Sequence, residues 1–319
     1  MAKKWRSELD YIGNTPLQNV DGILVKLEYL NPSGSIKDRI AKYIVEKAEQ
    51  KKELKKGYSI VEATSGNTGI AFSMVAAAKG YNCTIVLPKG LSVERQELIL
   101  AYGSKIIFVR KNCVKCAVEK TREIARKNKN VFLPKQFENP WNAEENEKIL
   151  GKEILRQFAE QFQKNKKKSS ESIDAVVAGV GTGGTLIGVG KAVRKKFPRV
   201  QIIAVEPAEC PLLSENRYGR HRIFGLHKGY TCKAHGIEGI GDGFIPKIVQ
   251  ENRNLIDEVI AVKTADAVQT ARLLAKKGFF VGPSSGANFW AAQKARKKFQ
   301  NVLTFFCDRG ERYLSEKLF

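Results

Sequence analysis

Short apolar runs alternate with longer amphipathic stretches along nearly the whole chain. Apolar, β-branched runs predict strands at 23–28, 58–62, 83–87, 105–109, 175–179, 201–206, 258–262 and 302–306. Between them, helical periodicity predicts helices at 36–50, 69–79, 92–102, 114–128, 143–164, 186–196, 264–277 and 289–298. Strands that alternate with helices in this way predict an α/β fold, with one or two parallel sheets covered by helices. Two stretches fall outside the pattern: a polar run at 165–172 and an irregular, basic stretch at 210–236.

The most informative segment is IDAVVAGVGTGGTLIGVG, residues 173–190. A buried strand, a glycine-dense turn and a helix place backbone N–H groups at the positive end of a helix dipole, which suits an anion and phosphate above all. The glycines let the backbone close on the anion, where a Cβ would hold it off. Taken alone, the turn is ambiguous. Gly179, Gly181 and Gly184 also satisfy a dinucleotide fingerprint, and Glu206 ends the next strand as that fingerprint requires. A nicotinamide-dependent dehydrogenase is the corresponding alternative.

Composition narrows the choice. The chain has 319 residues, 43% of them hydrophobic, enough for one large or two ordinary domains. It begins with no signal-peptide pattern and carries no apolar run long enough to span a membrane, so a cytoplasmic protein with no membrane partner is expected. Cysteines at 83, 113, 116, 210, 232 and 307 are too sparse for a disulfide scaffold, and reduced thiols are expected. Cys113 and Cys116 form a C-x-x-C pair inside a predicted helix, and read as spare thiols. The net charge of +22 is spread over most helices and carries no nucleic-acid motif, so no specific nucleic-acid partner is expected. C-x-x-H at Cys232–His235 is too few ligands for a metal site, and none is expected.

Histidine is restricted to 221, 227 and 235, all in the irregular stretch, so a histidine-based nucleophile system is disfavoured and lysine becomes the candidate base. In NPSGSIKDR, Pro32 and Gly34 break the chain, Ser35 reads as an N-cap and Asp38 completes a capping box. Lys37 then lies in the first turn of a helix, where the dipole opposes a cation and favours a free amine. TSGNTG at 64–69 places hydroxyl and amide donors at another helix N terminus without a lysine or arginine, which suits a small carboxylate.

NPSGSIKDR, TSGNTG, QFENP, GTGGT, GIGDGFIP and GPSSGA, in that order, resemble the cysteine synthase/cystathionine β-synthase family of fold type II pyridoxal-phosphate enzymes, from Gly13 to about Asp308. The resemblance implies a two-domain, tryptophan synthase β-like fold: a large domain from 1–40 and 146–319, and a small mobile domain, 41–145, that clamps the substrate. It implies pyridoxal 5'-phosphate held by Lys37, a phosphate cup of Gly181, Thr182, Gly183, Gly184 and Thr185, Asn67 against the ring hydroxyl, and Ser284 against the ring nitrogen. Thr64, Ser65, Gly66, Thr68 and Gln136 resemble the cradle for the α-carboxylate of an amino-acid substrate. The implied reaction is β-replacement through an aminoacrylate, with Lys37 moving the α-proton, and the leading reading is a cysteine synthase acting on O-acetylserine and sulfide. A homodimer is implied, and a serine acetyltransferase is a candidate partner.

Asp242 departs from the resemblance, because a small apolar residue is usual at this point of the turn. A carboxylate there is suited to activate water or a thiol. It would also repel hydrosulfide. The rival reading follows: an enzyme that consumes cysteine and releases sulfide, giving serine, lanthionine or cystathionine, with Asp242 as base.

Overall fold

The structure, a computed structural model, describes residues 7–111, 113–165, 172–215 and 232–319. The larger sheet joins β1 (Leu17–Val20), β2 (Ile23–Leu27), β7 (Ala175–Gly179), β8 (Gln201–Pro207), β9 (Glu258–Val262) and β10 (Val302–Phe306). Their spatial order is β1-β2-β10-β7-β8-β9, with only the β1–β2 hairpin antiparallel. The smaller sheet joins β3 (Ser59–Ala63), β4 (Asn82–Pro88), β5 (Lys105–Val109) and β6 (Val131–Phe132) in the order β5-β4-β3-β6, parallel throughout.

The helices, in chain order, are α1 (Lys37–Gln50), α2 (Asn67–Lys79), α3 (Val93–Ala101), α4 (Val114–Lys127), α5 (Pro140–Glu145), α6 (Gly151–Asn165), α7 (Gly184–Lys196), α8 (Leu212–Glu215), α9 (Lys247–Glu251), α10 (Thr264–Lys276) and α11 (Pro283–Ala295). None among the described residues is long and apolar enough to cross a membrane. Alternation along each strand feeds two cores per sheet. On β7, Val176 and Ala178 pack to one side and Ala175 and Val177 to the other. On β4, Ile85 and Leu87 oppose Val86 in the same manner. Both faces are therefore covered, as an all-parallel sheet requires.

Four expectations are corrected. The 143–164 helix is interrupted by a wide π turn, Asn146–Leu150, between α5 and α6, where the glycines of α7 approach: a Cβ on Gly188 would lie 2.4 Å from the carbonyl oxygen of Ala143. GPSSGAN is not a turn but opens α11, with Pro283 in the first turn where it loses no hydrogen bond. The capping box is absent, since Asp38 reaches back to Ser33 N–H at 2.7 Å while Ser35 Oγ accepts from Lys37 N–H at 3.3 Å. The thiols are not all free: Cys113 is bonded to Cys116 at the start of α4, and Cys210 to Cys232. Most of the 210–236 stretch, His221 and His227 included, lies outside the described residues.

Beneath the Lys37 turn lies a buried charge network. Arg39 grips Glu28 through two bonds of 2.6 and 2.9 Å and also reaches Glu153 at 2.9 Å, while Glu153 pairs with Lys26 at 2.5 Å. Burial pushes the nearby Glu145 carboxyl up to about 8. Removing one partner of such a cluster leaves a charge buried without compensation. Arg39→Ala is expected to cost about 3–5 kcal/mol of stability, read from urea unfolding. A loss below about 1 kcal/mol would show that the network contributes little.

Candidate active site

The segments that follow β2, β3, β7 and β10 line one pair of cavities, at the strand ends where open α/β sheets place ligands. After β2, Asn31 bonds back to Glu28, Gly34 takes the left-handed turn (φ +89°) and the chain enters α1 at Lys37. Ile36 N–H bonds Cys307 O at 2.9 Å and Ser35 bridges Asp308, so the Lys37 turn is fixed to the end of β10.

One cavity is lined by Lys37 and Asn67 together with Gly181, Thr182, Gly183, Thr185 and Ser284. Gly183 caps α7 with φ +83°, and the first-turn N–H groups of α7 have no intrahelical partner. Close approach dictates two of the glycines. A Cβ on Gly181 would lie 2.2 Å from Gly239 O, and one on Gly184 would lie 1.9 Å from Asn142 Oδ1. Asn142 was not readable as a site residue. Its side chain donates to Thr182 Oγ1 at 2.9 Å and to Gln136 O at 2.9 Å, tying the glycine turn to the QFENP segment. Ser284 is buried at the start of α11, and a Cβ on Gly239 would be 3.8 Å from its hydroxyl. Cys307 also lines this cavity, but burial pushes its thiol up to about 12, which leaves it without nucleophilic character.

A second cavity shares Lys37, Asn67 and Thr182 with the first and adds Thr64, Ser65, Thr68, Gln136 and Asp242. Gly66 caps α2 with φ +141°, a conformation open to glycine. Thr68 Oγ1 donates to Gln136 Oε1 at 2.6 Å, and Gln136 Nε2 donates to Ala63 O at 2.7 Å. Lys135 takes a left-handed φ of +55° to present Gln136, a strain of the kind that gathers at binding sites.

The turn 239–243 carries positive φ at Gly239, Gly241 and Gly243 and presents Asp242 half-buried in this cavity. Burial pushes the Asp242 carboxyl up from its ordinary value, while Lys37, the Ser65 hydroxyl and His235 pull it back. His235 holds the turn through Nε2 to Gly241 O at 2.9 Å. Of the C-x-x-H pair, Cys232 is bonded to Cys210 and His235 holds the turn.

Glu206 corrects the dinucleotide alternative. Its carboxylate is buried and accepts from Leu213 N–H at 2.7 Å and Ser214 N–H at 3.1 Å, capping α8 instead of facing a ribose. What remains is a glycine cradle at a helix N terminus, a lone amine and a polar loop, all around two joined cavities. This set fits pyridoxal phosphate and an amino acid.

Comparison with known proteins agrees. The family described as pyridoxal-phosphate dependent enzyme matches residues 8–308. A cysteine synthase of Staphylococcus aureus (strain Mu50) is 40% identical over 97% of this chain and 95% of its own length. The crystal structure of a hydrogen sulfide-producing enzyme from Fusobacterium nucleatum is 42% identical, with a TM-score of 0.81, over 93% of this chain and 83% of its own. That of an O-acetylserine dependent cystathionine β-synthase from Helicobacter pylori is 32% identical, with a TM-score of 0.85, over 98% of each chain.

Proposed function

The chain belongs to the pyridoxal-phosphate dependent enzyme family, and from that premise we propose that it carries out β-replacement on a cysteine- or serine-type amino acid, releasing sulfide from cysteine. Lys37 holds the cofactor and moves the α-proton; Gly181–Thr185 hold its phosphate, Asn67 faces its ring hydroxyl and Ser284 its ring nitrogen. Bound pyridoxal phosphate supplies an electron sink at the substrate α-carbon. A hydroxyl opposite the ring nitrogen keeps that sink weak, which favours loss of a β-substituent over transamination. Thr64, Ser65, Gly66, Thr68 and Gln136 hold the α-carboxylate. Residues 41–145, which contain the smaller sheet, close on the larger lobe and exclude water from the α-carbon.

The observation that carries the choice of leaving group is Asp242, placed in one cavity with Lys37 and Ser65. Its carboxylate takes a proton from water or a thiol as that oxygen or sulfur attacks the β-carbon. With water the balance is L-cysteine plus water giving L-serine plus hydrogen sulfide. With a second cysteine the product is lanthionine. The same negative charge disfavours hydrosulfide as the incoming nucleophile. Cysteine synthesis from O-acetylserine and sulfide is the second reading, favoured by the S. aureus relative's name.

One comparison tests the choice. Sulfide release from cysteine is expected to exceed, by about tenfold or more in kcat/KM, cysteine formation from O-acetylserine and sulfide at equal enzyme, a difference of about 1.4 kcal/mol in barrier. The reverse order would give the second reading. A homodimer and a serine acetyltransferase partner also belong to this proposal, and are checked by sedimentation of the protein alone and by co-elution with the acetyltransferase.

A further inference from the structure

The C-terminal segment CDRGERY, 307–313, contributes only the inert Cys307 to the cavity lining, yet it grips Asn67. Asn67 Nδ2 donates to Asp308 Oδ2 at 2.6 Å. Arg312 donates through Nη1 to Asn67 Oδ1, and through its other terminal nitrogen to Ser33 O, next to the Lys37 turn. Tyr313 donates to the same Asp308 oxygen at 2.6 Å and lies beneath the Arg95 guanidinium at 4.4 Å. Asp308, Arg312 and Tyr313 are all buried. Gly282 makes room for this arrangement, because a Cβ there would fall 2.3 Å from Asp308 Oδ1.

The chemistry of the two partners leaves the amide one orientation. A guanidinium has donors only, and an ionised carboxylate has acceptors only. Flipping Asn67 would set its NH₂ against Arg312 and its oxygen against Asp308, losing two charge-assisted bonds together. With Oδ1 taken by Arg312 and one N–H taken by Asp308, Asn67 keeps a second N–H, and its side chain lines both cavities. We infer that Asp308 and Arg312 are positioning residues that lock the Asn67 amide in the orientation that offers its second N–H to the cofactor ring hydroxyl, holding that hydroxyl in its deprotonated form. This rests on the proposed placement of Asn67 against the ring hydroxyl.

The test reads the absorption of the cofactor-loaded protein without substrate, as the ratio of the longer-wavelength band of the deprotonated ring hydroxyl to the shorter-wavelength band of the protonated one. Cofactor affinity is measured beside it by titration. Asn67→Ala, Asp308→Asn and Arg312→Gln are each expected to lower the ratio and to weaken cofactor binding about tenfold, the worth of one charge-assisted hydrogen bond. Arg312→Lys, which keeps a cationic donor, is expected to restore part of the ratio. A merely structural role would lower thermal stability and leave the ratio at the parent value. If Asn67→Ala lowers the ratio but Asp308→Asn and Arg312→Gln do not, the lock is refuted and the placement of Asn67 stands. If Asn67→Ala leaves it unchanged, the placement falls and the lock with it. Circular dichroism checks each fold, and the isosteric Asp308→Asn decides should Arg312→Gln fail to fold.

Discussion

Lys37→Ala is expected to abolish the visible absorption of cofactor-fed protein and to lower turnover by at least about 10³-fold, within the range of a lost acid–base group. The size follows from the neighbourhood. Among the described residues lining the two joined cavities, Lys37 is the only lysine. Lys42, the nearest in sequence, donates to Leu9 O at 3.0 Å, and Lys26 is buried in the Glu153 pair beneath the turn. No other described amine is placed to attach the cofactor or to take a proton at the α-carbon. Borohydride trapping followed by peptide mass analysis should locate the cofactor on Lys37 in the parent protein and nowhere in the variant. A tag on another lysine, or turnover within tenfold of the parent, would refute the assignment.

Much of this site could be read from the chain because its parts are local. Each motif is a turn joining a strand to a helix, and the glycines, caps and hydroxyls that make an anion site lie within six residues of one another. Strands were equally legible: β5, β7, β9 and β10 span the same residues as the apolar runs that predict them. Contacts made by folding were not legible. Asn67 meets Asp308 across 241 positions, and Asn142 meets Thr182 across 40. GPSSGAN reads as a turn from its proline, serines and glycine. In the fold, Gly286 packs so closely on α10 that a Cβ would lie 2.1 Å from Ala267 O, and that packing selects the helix. Glu206 stands where a ribose-binding acid would stand, but two backbone N–H groups of α8 claim its carboxylate.

Asp242→Asn separates the two β-replacement readings, and its expected effects point in opposite directions for the two substrates. Asparagine keeps the volume at 242 but cannot accept a proton, so sulfide release from cysteine is expected to fall about 100-fold, the low end of general-base catalysis. Cysteine formation from O-acetylserine and sulfide should hold or rise, because the variant removes a negative charge from the path of hydrosulfide. The pH profile supplies an independent sign. A base works deprotonated, and burial raises the Asp242 carboxyl above its ordinary value, with Lys37 and Ser65 opposing. Sulfide release by the parent should therefore climb as pH rises through that elevated value, and the variant should lose this limb. His235 offers the control, since its bond to Gly241 O orients the turn without supplying the carboxylate. His235→Ala should weaken the rate and keep the acidic limb, moved to higher pH because His235 no longer pulls the Asp242 carboxyl down. If Asp242→Asn leaves both cysteine breakdown and its acidic limb intact, Asp242 is a turn residue, and the case for cysteine as the preferred substrate goes with it.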